Sequence, residues 1–217
     1  MADRRISIDT PQGPVAGIVT GDGAGPVLVV AHGAGGGMET PLLQGFAEGL
    51  AAAGVMCLRF HFAYSEAGRR SPDREPVLRD VWSAAFDAGS ELGRPAWAGG
   101  KSLGGRIASM MVADGDLPAA GLVFIGYPLH PPGRPERIRD AHLDAIEAPM
   151  LFLQGTADPF ARWDLVESVI ERLGARAALH PVEGGDHSFR VRGGRRDDPG
   201  TGSALGEAAA RFILERG

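Results

Sequence analysis

Short apolar runs alternate with longer amphipathic stretches along most of the chain. The run at 26–31 is continuous and rich in β-branched residues, which is typical of a strand buried on both faces of a sheet. The stretch at 75–92 instead places apolar residues three and four positions apart, which is the spacing of an amphipathic helix. Strands that alternate with helices favour a parallel sheet whose strands are joined by crossover helices. We therefore predict strands at 4–9, 15–20, 26–31, 54–60, 95–99, 120–125, 150–154 and 176–181, and helices at 41–53, 75–92, 102–113, 161–173 and 203–216.

The chain has no internal repeat, linker or low-complexity segment, and its 217 residues suit one α/β domain. We expect a single domain over 1–217, large enough to bury a core without a disulfide or a structural metal. The lone cysteine, Cys57, lies in an apolar run and is expected to be a buried core residue.

Charge and hydropathy exclude several classes of partner. Lys and Arg number 22 and Asp and Glu number 27, giving a net charge of −5, and no basic stripe typical of a nucleic-acid binder is present. No apolar run reaches the roughly 20 residues that span a membrane. The N-terminal residues also lack the apolar segment of a signal peptide. We expect a cytoplasmic protein that binds neither nucleic acid nor membrane, and its oligomeric state stays open.

The most informative segment is Gly100-Lys101-Ser102-Leu103-Gly104, which places the pattern G-x-S-x-G between a predicted strand and a predicted helix. In a nucleophile elbow the serine holds a strained backbone conformation at the end of a strand. Glycines two residues to either side prevent a collision across the tight turn. The serine hydroxyl is then exposed at a helix N-terminus, where free N–H groups favour developing negative charge. Ser102 is therefore the candidate nucleophile.

A phosphate-binding loop is the competing interpretation, because Gly100-Lys101-Ser102 also ends the pattern G-x-x-x-x-G-K-[ST]. That pattern needs a glycine where this chain has Pro95. The residues before Lys101 also favour a strand over a loop that wraps a phosphate. Nucleotide binding is therefore disfavoured.

A catalytic pair of Ser102 with Lys101 is a secondary alternative, because adjacent side chains on a sharp turn diverge.

A serine hydroxyl needs a base to become a strong nucleophile, and that base needs a carboxylate to hold its tautomer. His187 lies in a Gly-rich loop after the last predicted strand. Asp158 follows the strand at 150–154 and a short turn, which places it at the same carboxyl edge and gives the chain order Ser, Asp, His. Asp186 is the rival carboxylate. As the neighbour of His187 it is badly placed to face the ring, and we expect it to shape the loop.

The residues His32-Gly33-Ala34-Gly35-Gly36-Gly37 directly follow the buried strand at 26–31. They match an HGGG-type loop, which offers a backbone N–H to the oxyanion of a tetrahedral intermediate. We assign the two oxyanion-hole donors to the N–H groups of Ala34 and Leu103. His32 is expected to orient the loop.

These segments, in this order, resemble the α/β-hydrolase superfamily over essentially the whole chain. The strings at 60–70, 126–133 and 185–189 resemble its small dienelactone-hydrolase-like branch, which includes testis-expressed-type hydrolase-like proteins. The resemblance implies an eight-stranded, mostly parallel sheet flanked by helices and no settled substrate. Dienelactone hydrolases proper use a cysteine nucleophile, whereas this chain has Ser102, so lactone chemistry is not carried over.

Many members of this superfamily carry a lid domain after the sixth strand. Here the strands at 120–125 and 150–154 are separated by a short segment holding Tyr127-Pro128 and Pro131-Pro132-Gly133. We predict a loop with at most a short helix, no full lid, and an open, shallow site. This argues against a lipase that needs a large apolar cover. His130, in the same segment, is expected either to line the entrance or to lie on the surface.

Arg69 and Arg70 lie in the loop after the fourth predicted strand, at the carboxyl edge where α/β sheets bind ligands. One interpretation is a clamp for a carboxylate or phosphate of the substrate, since guanidinium groups match such anions. The alternatives are a solvated charged loop or an ion pair with Glu66.

Together these residues predict a serine hydrolase that cleaves carboxylic esters or related acyl bonds of a small-molecule substrate, with no cofactor and no metal. Thioesterases and peptidases use the same triad. A non-catalytic interaction module is also possible on this fold, although the intact triad argues against it. A metal-dependent hydrolase is disfavoured because the H-E-x-x-H pattern is missing.

Overall fold

The structure is a computed structural model that describes residues 3–194 and 198–216. Within these residues the chain forms eight strands, β1 (Arg4–Ile8), β2 (Val15–Thr20), β3 (Val27–Ala31), β4 (Met56–Phe60), β5 (Ala96–Lys101), β6 (Leu122–Ile125), β7 (Met150–Gly155) and β8 (Ala177–Val182). The α-helices of the same residues are α1 (Pro41–Ala52), α2 (Ala63–Glu66), α3 (Glu75–Leu92), α4 (Leu103–Asp114), α5 (Trp163–Leu173) and α6 (Pro199–Leu214). Short 3₁₀ helices lie at Ala141–Ala145 and Gly174–Arg176. None of the helices described is long and apolar enough to cross a bilayer.

The described strands form one sheet in the order β1-β2-β4-β3-β5-β6-β7-β8. β2 is antiparallel to both β1 and β4, and every pair from β4 across to β8 is parallel. The carboxyl ends of the parallel strands therefore share one edge, where the loops that bind ligands gather. The predicted eight-stranded, mostly parallel sheet is confirmed.

Helices cover both faces of the sheet, because side chains of its buried strands alternate between two cores. Val29 of β3 points to the core under α3, α4 and α5, together with Val81 and Val166. Its neighbour Leu28 points to the other core, under α1 and α6. Cys57 is buried in this second core, as predicted, and burial raises the pKa of its thiol to about 12.

All predicted strands and helices are present, with shifted boundaries. α2 is a short helix directly after β4, where the sequence predicts only a loop. α6 begins at Pro199, before the predicted start at Ser203. The cause is Asp198, whose side chain accepts a hydrogen bond from the N–H of Thr201 at 2.8 Å and so caps the helix, with Pro199 in its first turn.

The segment between β6 and β7 is described throughout and contains only the 3₁₀ helix Ala141–Ala145. The prediction of a loop with at most a short helix, and no lid domain, is confirmed. The carboxyl edge of the sheet therefore stays open above β5 and β7.

α1 and α6 pack with their backbones in contact. The crossing is lined by Gly45, Gly49, Gly202 and Gly206. A Cβ on Gly49 would lie 2.2 Å from the carbonyl oxygen of Ser203, and one on Gly206 would lie 2.2 Å from that of Phe46. Both distances are far below van der Waals contact, so no side chain larger than hydrogen fits at these positions.

Candidate active site

Ser102 lies on the sharp turn between β5 and α4. Its backbone has φ 50° and ψ −111°, a conformation that residues with a Cβ rarely adopt. The turn is held by the Ser102 N–H, which donates to the carbonyl of Ile125 at 3.2 Å. The strained, well-anchored serine expected of a nucleophile elbow is therefore present.

The two glycines of the elbow are needed because the turn packs against β3. A Cβ on Gly100 would lie 2.5 Å from the carbonyl oxygen of Ala31, and one on Gly104 would lie 2.6 Å from the same oxygen. A Cβ on Gly100 would also approach Gly104 across the turn, to 3.0 Å from its carbonyl carbon. The predicted collision thus exists, and the neighbouring strand adds a second one.

His187 joins Ser102 to Asp158. The Ser102 hydroxyl donates to His187 Nε2 at 2.9 Å, and His187 Nδ1–H donates to Asp158 Oδ2 at 2.7 Å. The Asp158 side chain is fully buried, whereas that of His187 keeps 18% of its exposure. This arrangement fixes the neutral tautomer whose Nε2 lone pair can accept the serine proton.

Burial lowers the pKa of His187 below the ordinary value of 6.5. The charge of Lys101 lowers it further, while the hydrogen bond to Asp158 opposes both effects. Phe160 stacks on the imidazole with ring centroids 4.3 Å apart, which keeps water from that side of the ring. The histidine is therefore neutral near pH 7, as a base must be.

Asp158 and Asp186 make different hydrogen bonds. Asp158 Oδ1 accepts from the N–H of Phe160 at 2.8 Å, which orients the carboxylate toward His187. Asp186 Oδ1 instead accepts from the N–H groups of Ser188 and Arg190, at 2.8 and 3.0 Å. Asp186 thus shapes the loop and does not hold the ring nitrogen.

The two residues assigned to the oxyanion hole are Leu103, which follows Ser102 in the chain, and Ala34, which lines the same cleft. Leu103 is the first residue of α4, so its N–H has no partner within the helix. Ala34 lines the same cleft, and no backbone carbonyl in the described parts of the chain accepts from its N–H.

His32 is buried beneath this loop: its Nδ1–H donates to the Gly33 carbonyl and its Nε2 accepts from the N–H of Phe62. Burial lowers the pKa of His32 to about 4, so it stays neutral and orients the loop, as predicted.

Ser102 opens into a cleft of about 470 Å³ at the carboxyl edge of the sheet. The lining residues are Gly33, Ala34, Gly35, Gly36, Gly37, Thr40, Leu42, Leu43, Arg70, Lys101, Ser102, Phe160, His187 and Ser188. Its fixed charges are those of Arg70 and Lys101, and no carboxylate of the described residues belongs to the lining. The described residues also contain no cluster of three or more His, Cys, Asp or Glu side chains arranged to hold a metal ion.

Residues 24–213 match the family described as the alpha/beta hydrolase domain. The chain belongs to the α/β-hydrolase family. The resemblance inferred from the elbow and the loops around it is thus confirmed, since the match spans most of the chain.

Solved structures of known proteins share the fold of this α/β-hydrolase. An alpha-beta serine hydrolase homologue from Coxiella burnetii is 18% identical and covers 98% of both chains, with a TM-score of 0.75. An a/b serine hydrolase without lid from Xanthomonas campestris is 21% identical, with a TM-score of 0.72, and covers 98% of this chain and 96% of its own. A dienelactone hydrolase from Anabaena variabilis is 20% identical, with a TM-score of 0.75, and covers 99% of this chain and 98% of its own. At these identities the likeness concerns the fold.

The structure separates the three predicted substrate-binding residues of this α/β-hydrolase. Arg70 lines the cleft. Arg69 does not; its guanidinium lies 2.8 Å from Asp73, and the predicted alternative of a pair with Glu66 is wrong. Glu66 instead accepts from the N–H of Ala16 at 3.0 Å.

His130 is neither at the entrance nor on the surface, so both predicted alternatives are wrong. It is 3% exposed. Its Nδ1–H donates to the Pro131 carbonyl at 2.9 Å, and its Nε2 accepts from the N–H of Arg162 at 2.9 Å. Both ring nitrogens are occupied, so His130 connects two loops and has no atom left for a substrate.

Sequence reasoning missed Gln154 and Phe160, which both contact the Asp158–His187 pair. Gln154 Nε2 donates to Asp158 Oδ2 at 2.7 Å. A signal existed: Gln154 is a polar residue inside the otherwise apolar run of β7, and a buried amide needs hydrogen-bond partners.

The Ser–Lys alternative has less support. The Ser102 hydroxyl is hydrogen-bonded to His187, and Lys101 Nζ lies over the Phe189 ring, 5.9 Å from its centroid.

Proposed function

We propose that this α/β-hydrolase cleaves carboxylic esters or related acyl bonds, with Ser102, His187 and Asp158 as its catalytic triad. The observation that carries the proposal is the continuous hydrogen-bond chain from the Ser102 hydroxyl through His187 to the buried Asp158. The strained backbone of Ser102 and its position at the start of α4 support the same role. Such a chain activates a hydroxyl that is otherwise a weak nucleophile.

The reaction proceeds in two halves. His187 Nε2 takes the Ser102 proton as Oγ attacks the carbonyl carbon of the substrate, and the N–H groups of Ala34 and Leu103 stabilise the resulting oxyanion. The intermediate collapses and expels the leaving group, which takes the proton from His187. Water, deprotonated by His187, then attacks the acyl-serine, and the released Ser102 oxygen regains the proton. Asp158 stabilises the imidazolium at both steps.

The basic lining of the cleft supports an anionic acyl substrate. Arg70 and Lys101 face a cleft with no carboxylate of the described residues, although the whole chain has a net charge of −5. A carboxylate or phosphate on the substrate would find complementary charge there. Of the two arginines of the predicted anion clamp, Arg70 lines the cleft and Arg69 does not, so we assign the clamp to Arg70.

Reaction with a fluorophosphonate probe, followed by mass spectrometry, tests the triad without assuming a substrate. We expect an adduct on Ser102 and none in Ser102→Ala. On an ester hydrolysed by the wild type, Ser102→Ala should lower kcat by about 10³-fold or more, because the covalent route is lost. Ser188→Ala is the matched control, since Ser188 lines the same cleft but takes no part in the hydrogen-bond chain, and it should keep the adduct.

Labelling of folded wild-type protein at Ser102 justifies comparing ester, thioester and peptide libraries, which separates the three acyl chemistries. An unlabelled but folded wild type would contradict the proposed function and favour a non-catalytic binding module. An adduct at another serine would contradict the assignment of Ser102.

A further inference from the structure

Gln154, near the end of β7, joins the loops that follow β6 and β7 through a side chain that is 1% exposed. Its Nε2 donates to Asp158 Oδ2 at 2.7 Å, and its Oε1 accepts from the N–H of Tyr127 at 2.8 Å. Asp158 Oδ2 is also the atom that accepts from His187 Nδ1 at 2.7 Å. One carboxylate oxygen therefore serves both the amide and the imidazole.

Packing of the core does not explain why position 154 holds an amide, because an apolar side chain would fill a buried position of β7 as well. The preceding residues of β7 are apolar and buried, from Met150 to Leu153. A buried amide costs free energy unless both its donor and its acceptor are paired, and here the donor is paired with Asp158 and the acceptor with the backbone of the loop after β6. The other described donor to the Asp158 carboxylate, apart from His187, is the backbone N–H of Phe160. Gln154 thus supplies the side-chain donor that a substitution can remove.

We propose that Gln154 is a positioning residue, which holds the Asp158 carboxylate toward His187 and moderates how strongly that carboxylate attracts the imidazole proton. The proposal rests on the proposed function, because it acts through the triad. The amide draws part of the charge of Oδ2 to itself, so less of that charge stabilises the imidazolium. It also prevents rotation of the carboxylate away from the ring.

The consequence for His187 has a definite sign. Without the amide, Asp158 stabilises the imidazolium more strongly, so the pKa of His187 rises. As the pH is lowered, His187 is then protonated, and lost as a base, at a higher pH than in the wild type. The other charged groups that face His187 are Asp186, on its own loop, and Lys101, at the end of β5. Substitution of Gln154 changes neither of them.

The test is the pH dependence of Ser102 labelling by the fluorophosphonate probe, in Gln154→Met and Gln154→Glu. Gln154→Met keeps the length of the side chain but removes both hydrogen bonds. Gln154→Glu keeps both hydrogen bonds while its carboxyl is protonated, and it loses the donor and adds a charge beside Asp158 once that carboxyl ionises. Leu151→Ala is the control, because Leu151 is a buried residue of the same strand that packs in the opposite core, away from these hydrogen bonds.

We expect Gln154→Met to label about tenfold to a hundredfold more slowly, since loss of position at a reacting group has effects of this size. The midpoint of its acid limb should move up by about half a unit or more. Gln154→Glu should label as the wild type does while its carboxyl is protonated, and more slowly at the higher pH at which that carboxyl ionises, because the donor to Asp158 is then lost. Leu151→Ala should lower the melting temperature and leave the midpoint in place.

An unchanged midpoint in folded Gln154→Met overturns the proposal, and so does a Gln154→Glu protein that labels as the wild type does at every pH, including the range in which the introduced carboxyl is ionised. If Gln154→Met fails to fold, Gln154→Glu decides, since it keeps the link to Tyr127. Failure of the proposed function is a different result: the wild type itself is then not labelled at Ser102.

Discussion

Arg69 and Arg70 are adjacent arginines whose side chains have different surroundings. Arg69 is paired with Asp73, four residues further along the same loop, and lies outside the cleft. Arg70 lines the cleft that holds Ser102. Both side chains are exposed, so the charge of each is screened by water and salt. The pair therefore separates a general effect of charge on the loop from a specific effect on the bound substrate.

We expect Arg70→Ala to raise KM for an anionic ester by about threefold to tenfold, the scale of one exposed charge pair, and to leave KM for a neutral ester of the same size unchanged. Arg69→Ala is the matched control and should change neither value. Steady-state kinetics on the two esters, at low and at high salt, measure the effect, which should shrink as salt is added. Equal losses on both esters, or equal effects of both substitutions, would show that Arg70 binds no anion.

The three residues of the hydrogen-bond chain were predictable because their types and their places after strands are constrained by the sequence itself. Ser102 has flanking glycines, and Asp158 and His187 follow strands in the right order. The direction in which Arg69, Arg70 and the buried His130 turn is not encoded in such spacing. It depends on partners that the fold brings together. His130 Nε2, for example, accepts a hydrogen bond from the N–H of Arg162.

At the scale of elements, the contact between α1 and α6 is set by missing side chains. Gly45 and Gly49 on one helix, and Gly202 and Gly206 on the other, allow carbonyl oxygens to approach positions that a Cβ would occupy. A glycine inside a helix ordinarily costs about 1 kcal/mol relative to alanine. Here the close approach reverses that preference, because an added methyl group meets rigid backbone.

Gly49→Ala and Gly206→Ala should each lower the free energy of unfolding by about 2–3 kcal/mol, as overpacking of a tight interface does. Urea unfolding followed by circular dichroism measures the change. Gly36→Ala is the control, because the nearest atom to its added Cβ would lie at 3.6 Å, an ordinary contact. Its effect should stay within about 0.5 kcal/mol. Stabilisation by either helix substitution would show that the two backbones do not meet so closely.

The element types were predictable from periodicity, whereas two boundaries were not. α2 has only the four residues Ala63–Glu66, too few for a helical period to show in the sequence. The start of α6 was placed too late because its first turn is rich in glycine, although the Asp198-Pro199 cap was available as a signal. The α1–α6 contact could not be predicted either, since it depends on two helices that lie far apart in the chain.

At the scale of the molecule, residues 3–194 and 198–216 form two cores, one on each face of the eight-stranded sheet. Trp82 of α3 is buried in one core, against Phe60. Trp97 of β5 is buried in the other, against Phe212 of α6. Because the parallel strands contribute side chains to both cores, loss of one core leaves the sheet without cover on that face. The two cores should therefore unfold together, as expected of a single domain over 1–217.

Single-tryptophan variants test this coupling. Trp97 remains alone when Trp82 and Trp163 are replaced by phenylalanine, and Trp82 remains alone when Trp97 and Trp163 are replaced. In each variant we expect the fluorescence midpoint in urea to coincide with the midpoint from far-UV circular dichroism. Fluorescence of Trp97 that changes well before the loss of helix signal would contradict a single cooperative unit and would place the weaker face under α6.

The glycine-lined crossing of α1 and α6 has a consequence for how the chain is made. On the ribosome, β3 and α1 emerge long before α6 is synthesised. The apolar face of the sheet that includes Leu28 and Trp97 therefore stays partly exposed until α6 has been made. Translation must reach α6 before that face is closed, and a nascent chain stalled earlier presents it to chaperones and proteases. Substitutions at these glycines would therefore reduce the yield of protein in the cell more than they reduce the turnover of each folded molecule.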